Sequence, residues 1–188
     1  MRIIRDMAGF TGARSVVALG MFDGVHIGHQ ALIRRAVALA GEMDADAIVC
    51  TFDRHPLSVL RPEIAPEPLL TLDENLGKFE RLGADYALVQ AFTREYGATP
   101  PEDFLRGLAR DLRAAAVVAG ENYTFGAGGR GDADTIREMA APLGYRAEIV
   151  PPVMDGDVMC SSTLIRELLA KGETKHAERL LKIGTGCA

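Results

Sequence analysis

Runs of apolar residues alternate with segments of helical periodicity along the chain. Short β-branched or alanine-rich runs predict buried strands, whereas apolar residues spaced three or four apart predict amphipathic helices. The predicted strands are SVVAL at 15–19, AIVCTF at 47–52, DYALVQAF at 85–92, AAVVAG at 115–120 and RAEIVPPV at 146–153. The predicted helices are ALIRRAVALA at 31–40, PEDFLRGLARDL at 101–112, ADTIREMAAPLG at 133–144, Thr163–Ala170 and a short one near KHAERLLK at 175–182. This alternation predicts an α/β fold in which helices cover both faces of a parallel sheet.

A proline-rich segment interrupts this alternation at 55–71, with the sequence HPLSVLRPEIAPEPLLT. Proline fixes φ and lacks an amide donor, so the segment is predicted to be irregular. A stiffened loop after a strand is either a plain surface loop or the lid or wall of a pocket. The length of the chain and the absence of repeats or low-complexity tracts predict one domain over 1–188.

Composition and charge narrow the class of protein. The chain is 48% hydrophobic and 25% charged, which is typical of a globular domain. A net charge of −5 argues against a nucleic-acid-binding surface, which clusters basic residues. Neither a signal-peptide core nor the roughly 18 apolar residues of a membrane span are present. Since Cys50, Cys160 and Cys187 lack metal-ligand spacing, reduced thiols and a cytoplasmic location are predicted, with no membrane partner.

Two histidines lie where the first predicted strand meets the first predicted helix, in GMFDGVHIGHQ at 20–30. Amides at a helix start lack intrahelical partners and carry the positive end of the helix dipole, so this junction favours an anion. His26 and His29 can share one side of the first turn, where both rings would reach a phosphate. A solvated surface pair and half of a zinc site are the alternatives.

Three consecutive hydroxyl side chains precede a predicted helix in CSSTLIRELLAKG at 160–172. A serine or threonine at a helix start is ordinarily an N-cap. The hydroxyls and Arg166, three residues beyond Thr163, also offer short donors and a fixed positive charge to a polyphosphate. Capping and phosphate binding therefore both stay open for this segment.

Two more candidate segments follow predicted strands. In TFDRHP at 51–56, Pro56 holds His55 extended, so that its ring is either aimed at a ligand or is a loop histidine without a role. The glycine-rich GENYTFGAGGRGD at 120–132 matches neither the Walker A nor the dinucleotide pattern, so a plain turn is its alternative. Because ligands of parallel α/β sheets bind at the carboxyl ends of strands, we expect all four segments to border one crevice.

In their order along the chain, the four segments resemble the HxGH nucleotidyltransferases and, within them, the adenylyltransferase module of bacterial FAD synthetases. The resemblance implies a Rossmann-like nucleotidyltransferase fold and transfer of AMP from ATP to FMN, which yields FAD and pyrophosphate. It also implies Mg²⁺ held mainly by the ATP phosphates, with Asp23 a candidate to contact the nucleotide sugar or to help retain the ion. The alternatives are a nucleotidyltransferase that uses CTP or another phosphorylated acceptor, and a non-catalytic flavin- or nucleotide-binding protein.

The resemblance also implies roles for individual residues. It assigns catalysis to His26, His29 and Arg166. It assigns ATP binding to Gly20, Phe22, Asp23, Gly24, Gly28, Asn122, Ser161, Ser162 and Thr163. It assigns FMN binding to Phe52, Asp53, His55, Pro56, Phe125 and Arg130.

The chain departs from the family pattern at several points. Asn122 stands where an aspartate is common, Met21 replaces the asparagine of GNFDGVH, and Asn75 stands where a lysine often follows the LT motif. The chain stops at LLKIGTGCA, whereas bifunctional members of the family continue into a riboflavin kinase barrel. We therefore expect no riboflavin kinase activity here, and FMN would come from a separate kinase.

Overall fold

A six-stranded parallel sheet forms the centre of the computed structural model, which describes residues 1–183. Its order is β1-β4-β3-β2-β5-β6. The strands are β1 (Arg2–Ile4), β2 (Ser15–Leu19), β3 (Asp46–Phe52), β4 (Tyr86–Gln90), β5 (Ala114–Gly120) and β6 (Arg146–Val150), and an antiparallel hairpin of β7 (Met154–Asp155) and β8 (Val158–Met159) follows.

Helices connect the strands and cover the sheet. They are α1 (Ile27–Met43), α2 (Leu57–Leu60), α3 (Leu72–Arg81), α4 (Arg94–Gly97), α5 (Pro101–Asp111), α6 (Ala133–Leu143), α7 (Ser162–Ala170) and α8 (Thr174–Leu181). Short 3-10 turns lie at Met7–Gly9, Asp23–Val25, Pro62–Ile64 and Ala127–Gly129. None of the helices within residues 1–183 is long and apolar enough to span a bilayer.

The core has two layers because successive side chains of a strand point to opposite faces of the sheet. Val16 and Ala18 of β2 face one layer, in which Ile33 of α1 and Phe79 of α3 are fully buried. The alternate residues of the same strand pack into a second layer against α5 and α6. This arrangement confirms the predicted α/β fold with helices on both faces, and it explains why the strands read as continuous apolar runs.

Several elements differ from the sequence-based expectation, among them the short helix α4 and the β7–β8 hairpin, which were not predicted. The edge strand β1 was not predicted, and its three residues are mostly exposed, so they carry little apolar signal. The helix α3 was also not predicted, although Thr71 and Glu74 form a reciprocal capping box at its start. The expectation of an irregular 55–71 segment was wrong in part, because α2 and the Pro62–Ile64 turn form within it.

The order of the strands creates the crevice that ligands of such sheets occupy. From the central β2 the chain builds β3 and β4 on one side, and later β5 and β6 on the other side. The connections that leave the carboxyl ends of neighbouring central strands therefore diverge, which opens a gap between them. The segments at 20–26, 53–56 and 121–126 all begin at this edge of the sheet.

Two of the three cysteines lie in the described part of the chain, where both are buried free thiols. Cys50 belongs to β3, and Cys160 directly follows the hairpin. Cys187 lies outside the described residues.

Candidate active site

A tight turn at residues 22–25 carries the chain from β2 to α1. Phe22, Gly24 and Val25 have φ values of 52°, 81° and 46°, all in the left-handed region. A non-glycine residue in this region costs of order 1–3 kcal/mol and persists only where surrounding contacts hold it. A Cβ at Gly24 would come within 2.9 Å of the Leu181 side chain and 3.0 Å of Leu69, so close packing also favours glycine there.

The turn delivers His26 to the first position before α1, where it stacks on His29. The ring centroids are 3.7 Å apart, and His26 Nδ1 accepts a hydrogen bond of 3.4 Å from the backbone amide of His29. The ring of Phe22 lies edge-on to His29 at 5.2 Å. The predicted closeness of the two imidazoles is therefore present in the structure.

Burial determines the charge of this histidine pair. It lowers the pKa of His26 to about 4, with a smaller contribution from the positive charge of Lys78. It lowers the pKa of His29 as well, and the neighbouring His26 adds to that effect. Both rings are thus neutral near pH 7. His29 Nδ1 is buried and has no hydrogen-bond partner among the described residues.

A cleft of about 180 Å³, here called the histidine cleft, lies beside the pair. Residues from four regions of the chain meet there: the start of α1, the end of β5, the segment that follows β6 and the segment that leads into α7. Those predicted to bind ATP or to act in catalysis are His26, Gly28, His29, Asn122, Ser161 and Ser162. The structure therefore brings the early histidines and the late serines to one cavity.

The hydroxyls before α7 have different roles. Ser161 caps the helix, because its Oγ accepts a 3.1 Å hydrogen bond from Leu164 N, and its hydroxyl hydrogen remains available to a ligand. Ser162 Oγ donates to the carbonyl of Asp23 at 3.0 Å. Thr163 is exposed and lies outside the cleft lining. Ser161 can therefore cap α7 and bind a ligand in the cleft at the same time, so the two roles left open by the sequence do not exclude each other.

A buried ion pair joins Asp23 of the turn to Arg166 of α7. The second carboxylate oxygen of Asp23 accepts from Leu69 N at 2.9 Å, and Arg166 Nε donates to Glu67 O at 2.9 Å. The pair therefore fastens the proline-rich segment to both the turn and α7.

A second cleft of about 110 Å³, here called the proline cleft, has Asp23 in its lining. Phe52, Asp53 and His55 of the predicted FMN set line it, and Pro66 and Pro68 form part of its wall. The proline-rich segment is thus a pocket wall, one of the two alternatives that its sequence left open.

Contacts within the proline cleft orient two of its polar side chains. His55 Nδ1 accepts from Leu57 N at 3.1 Å, and burial together with the charge of Arg166 lowers its pKa. Asp53 accepts a 2.9 Å hydrogen bond from Phe92 N and also pairs with Arg54. His55 is therefore held by the backbone, with its ring in the cleft.

Other predicted site residues lie outside the linings of both clefts. Phe125 is buried against Phe104 and Tyr123, and the exposed Arg130 donates to the carbonyl of Ala127. Four more predicted ligand-binding residues do not line either cleft. They support the turn or precede α2, and they are Gly20, Phe22, Gly24 and Pro56. Their proposed ligand contacts stay predictions.

Several polar residues at the turn were not predicted as site residues. Thr51 Oγ1 donates to Met21 O at 2.9 Å, and Asn75 Oδ1 accepts from Gly24 N at 3.1 Å. Lys78 Nζ donates to Gly24 O at 2.8 Å. Asn75 and Lys78 share one face of α3, and the capping box was the sequence signal that could have revealed this helix.

The donor set of the described residues does not suit a metal centre built by the protein. No group of three or more histidine, cysteine, aspartate or glutamate side chains converges within residues 1–183. The nearest buried carboxylate, Asp23, is already shared between Arg166 and Leu69. A Mg²⁺ ion that keeps most of its water and binds through substrate phosphates would need no such group.

Comparison with known proteins identifies close relatives. A bifunctional riboflavin kinase/FMN adenylyltransferase of Listeria monocytogenes is 34% identical over 175 residues, covering 92% of this chain and 55% of that protein. A putative bifunctional riboflavin kinase/FMN adenylyltransferase of Geobacillus thermodenitrificans is 34% identical over 182 residues, covering 96% of this chain and 97% of that protein. The chain thus spans about half the length of some curated relatives and nearly the whole length of another.

A solved structure and a family description agree with these relatives. A crystal structure described as a macrolide-efflux protein from Streptococcus pneumoniae superposes with a TM-score of 0.82 and 30% sequence identity, covering 96% of this chain and 60% of that one. The family model described as FAD synthetase matches residues 11–164 of this chain. The resemblance and the Rossmann-like nucleotidyltransferase fold predicted from the sequence are confirmed, and the chain belongs to the FAD synthetase family.

Proposed function

We propose that the chain is an FMN adenylyltransferase, which transfers AMP from ATP to FMN and releases FAD and pyrophosphate. One observation carries the proposal: His29 and Ser161, distant in sequence, line the same cleft. A second cleft, lined by Phe52 and His55, also has Asp23 in its lining. The carbonyl of Asp23 accepts a hydrogen bond from Ser162 of the histidine cleft. Two substrates that must react with one another need two such neighbouring sites.

In this proposal the histidine cleft binds the ATP phosphates. Neutral imidazoles donate hydrogen bonds to the α-phosphate, where charge changes during the reaction. Ser161 donates its free hydroxyl hydrogen, and the amides at the start of α1 face the same anion. Arg166 exchanges Asp23 for the β- and γ-phosphates, as a guanidinium can bind either a carboxylate or a phosphate through two hydrogen bonds.

The proline cleft binds FMN with its phosphate directed toward the histidine cleft. An oxygen of that phosphate attacks the α-phosphorus of ATP in line, while the bond from the α-phosphorus to the bridging oxygen breaks and pyrophosphate leaves. Catalysis comes mainly from positioning and from stabilising charge, since such transfers require little covalent chemistry of the protein. A bound Mg²⁺ would be held mainly by the nucleotide phosphates and would supply positive charge to the pyrophosphate leaving group.

The source of FMN belongs to the same proposal. The names of several relatives include a riboflavin kinase, whose product is FMN. We assign the adenylylation step to this chain and the phosphorylation of riboflavin to a separate kinase activity. A cytoplasmic location stays a prediction from the sequence.

A single set of incubations tests the proposed function. The purified chain is mixed with Mg²⁺ and each pairing of ATP or CTP with FMN or riboflavin, and the products are separated by chromatography. We expect FAD and equimolar pyrophosphate only from ATP with FMN. A CTP-derived product would instead support another nucleotidyltransferase, and nucleotide binding without turnover would support a non-catalytic protein.

A further inference from the structure

Two side chains connect the turn at residues 22–25 to the end of α8. Lys78 Nζ donates to the carbonyls of Gly24 and Leu181, both at 2.8 Å. Gln30 Nε2 donates to Val25 O at 2.9 Å and to Lys182 O at 3.1 Å. Each side chain thus bridges one carbonyl of the turn and one carbonyl at the end of α8. We call Lys78 and Gln30 the carbonyl clamp.

The carbonyl clamp satisfies groups that would otherwise lack partners. The last carbonyls of a helix have no intrahelical donor, and α8 ends at Leu181. Gln30 is only 1% exposed, and its amide has two hydrogens to donate, which match the two carbonyls that it contacts. The Leu181 side chain also packs directly against Gly24. The turn and the end of α8 are therefore closely fitted to one another.

We propose that Lys78 and Gln30 are positioning residues for the histidine pair. They hold Gly24 and Val25 against the end of α8 and thereby fix the left-handed turn whose next residue is His26. The end of α8 becomes part of the support of the catalytic centre, although it contributes no side chain to the histidine cleft. The kinetic consequence rests on the proposed function, whereas the structural consequence does not.

The geometry explains why a small movement there would matter. His26 directly follows Val25, caps α1 and stacks on His29 at 3.7 Å, so a displaced turn displaces both rings. Left-handed conformations at Phe22 and Val25 need external contacts to persist. A misplacement of about 1 Å at a reacting centre lowers a rate by about 10²-fold.

The test removes the donors of the clamp while keeping the volume of the side chains. Lys78→Met and Gln30→Met are compared with Lys175→Met, a matched change at an exposed lysine of α8. Each variant is examined by amide hydrogen exchange at Gly24 and Val25 and by steady-state formation of FAD. Both clamp variants should exchange about tenfold faster there and lose about 10–10²-fold in kcat, with KM changing less than about threefold. Lys175→Met should match the wild type.

Two further comparisons separate positioning from general destabilisation. Lys78→Met added to a variant that lacks both rings, His26→Ala with His29→Ala, should lower kcat no further, because the clamp acts through the two imidazoles. Ile136→Val, in the layer formed by α5 and α6, lowers the Tm without touching the turn and should leave kcat unchanged.

Three results would overturn the positioning role. They are unchanged exchange at the turn in both clamp variants, an additive loss of kcat in the background that lacks both imidazoles, and an equal loss of kcat in Ile136→Val. If the wild-type chain makes no FAD, the proposed function fails, and the exchange measurement alone still decides whether the clamp holds the turn.

Discussion

At the residue scale, the properties of the site follow from burial at a strained turn. The two histidines are packed on one another and against Phe22, so that neither is protonated near neutral pH. A neutral imidazole retains one hydrogen to donate and one lone pair to accept. The unpartnered Nδ1 of His29 is the polar atom that most needs a ligand.

The first prediction concerns that ring. His29→Ala should lower kcat for FAD formation by about 10²-fold, because it removes a donor that stabilises the transition state. The Tm should fall as well, because the ring packs on His26 and against Phe22 and its removal leaves a cavity, so kcat is measured at a temperature where the variant is fully folded. Steady-state kinetics with ATP and FMN measure the effect, and a kcat equal to that of the wild type would remove His29 from the mechanism.

The second prediction concerns pH. In the unfolded chain His26 protonates near its ordinary pKa of 6.5, whereas the folded protein resists protonation until about pH 4. The unfolded state therefore binds the proton first, so stability should fall as the pH drops from about 6.5 toward 4. His26→Asn keeps an N-cap but removes this proton.

Thermal unfolding at pH 7.5 and pH 5 measures the difference. The Tm of the wild type should fall more between these two values than the Tm of His26→Asn. His29 titrates in both proteins, and its pKa is lowered less when His26 is absent, which acts in the same direction as the expected difference. An identical fall in the two proteins would mean that His26 is not buried in its neutral form.

At the element scale, the sequence predicted the central strands and the long helices because their signals are local. Apolar runs identified β2, β3 and β5 to within one residue at each end. The edge strand β1 was not predicted, because its residues are mostly exposed and lack an apolar pattern. It forms only by pairing with β4, which is far away in the chain. Helix α3 was not predicted, because it directly follows the proline-rich segment that was interpreted as a loop. Its capping box was present in the sequence.

The third prediction separates the two roles of Ser161 at the start of α7. Ser161→Ala loses the N-cap and should destabilise the protein by about 1 kcal/mol. Ser161→Asp keeps a capping oxygen but adds a negative charge to the histidine cleft. It should therefore unfold at nearly the same denaturant concentration as the wild type, while its KM for ATP rises by about tenfold or more through charge repulsion.

Urea unfolding and ATP titrations of both variants measure the two effects. If Ser161 only caps α7, Ser161→Asp will bind ATP as the wild type does. That result would remove the hydroxyl from the proposed nucleotide site.

At the scale of the whole molecule, the sequence predicted one shared crevice from the rule that ligands bind at the carboxyl ends of parallel strands. The structure agrees for His26, His29 and Ser161, which line one cleft. It divides the predicted set into two neighbouring clefts, a feature that strand order alone does not reveal. Asp23 connects the two clefts, because it lines the proline cleft and its carbonyl accepts a hydrogen bond from Ser162 of the histidine cleft, which is far away in sequence.

Other parts of the site needed long-range packing to become visible. Asn75 looked only like a departure from a family motif, yet its side chain accepts a hydrogen bond from Gly24 N. Phe125 and Arg130 were assigned to FMN by resemblance, and in the structure they lie outside the linings of both clefts. Which residues hold a backbone turn depends on contacts between distant elements, and no local pattern encodes them.

The fourth prediction concerns the ion pair between Asp23 and Arg166. Arg166→Ala should raise the KM for ATP by about 10-fold or more, because a charged hydrogen bond to phosphate is lost. It should also release the proline-rich segment, which Arg166 fastens through Glu67. Amide exchange in residues 66–70 should therefore increase. Unchanged ATP affinity would confine Arg166 to a structural role.

The central claim is that imidazoles from the start of the chain and hydroxyls from near its end surround one triphosphate. A crystal structure with a non-hydrolysable ATP analogue and Mg²⁺ tests this claim most directly. We predict that the triphosphate lies in the histidine cleft, within hydrogen-bond distance of His29 and Ser161, and that the proline cleft stays free for FMN. A triphosphate bound in the proline cleft, or elsewhere on the molecule, would contradict the account.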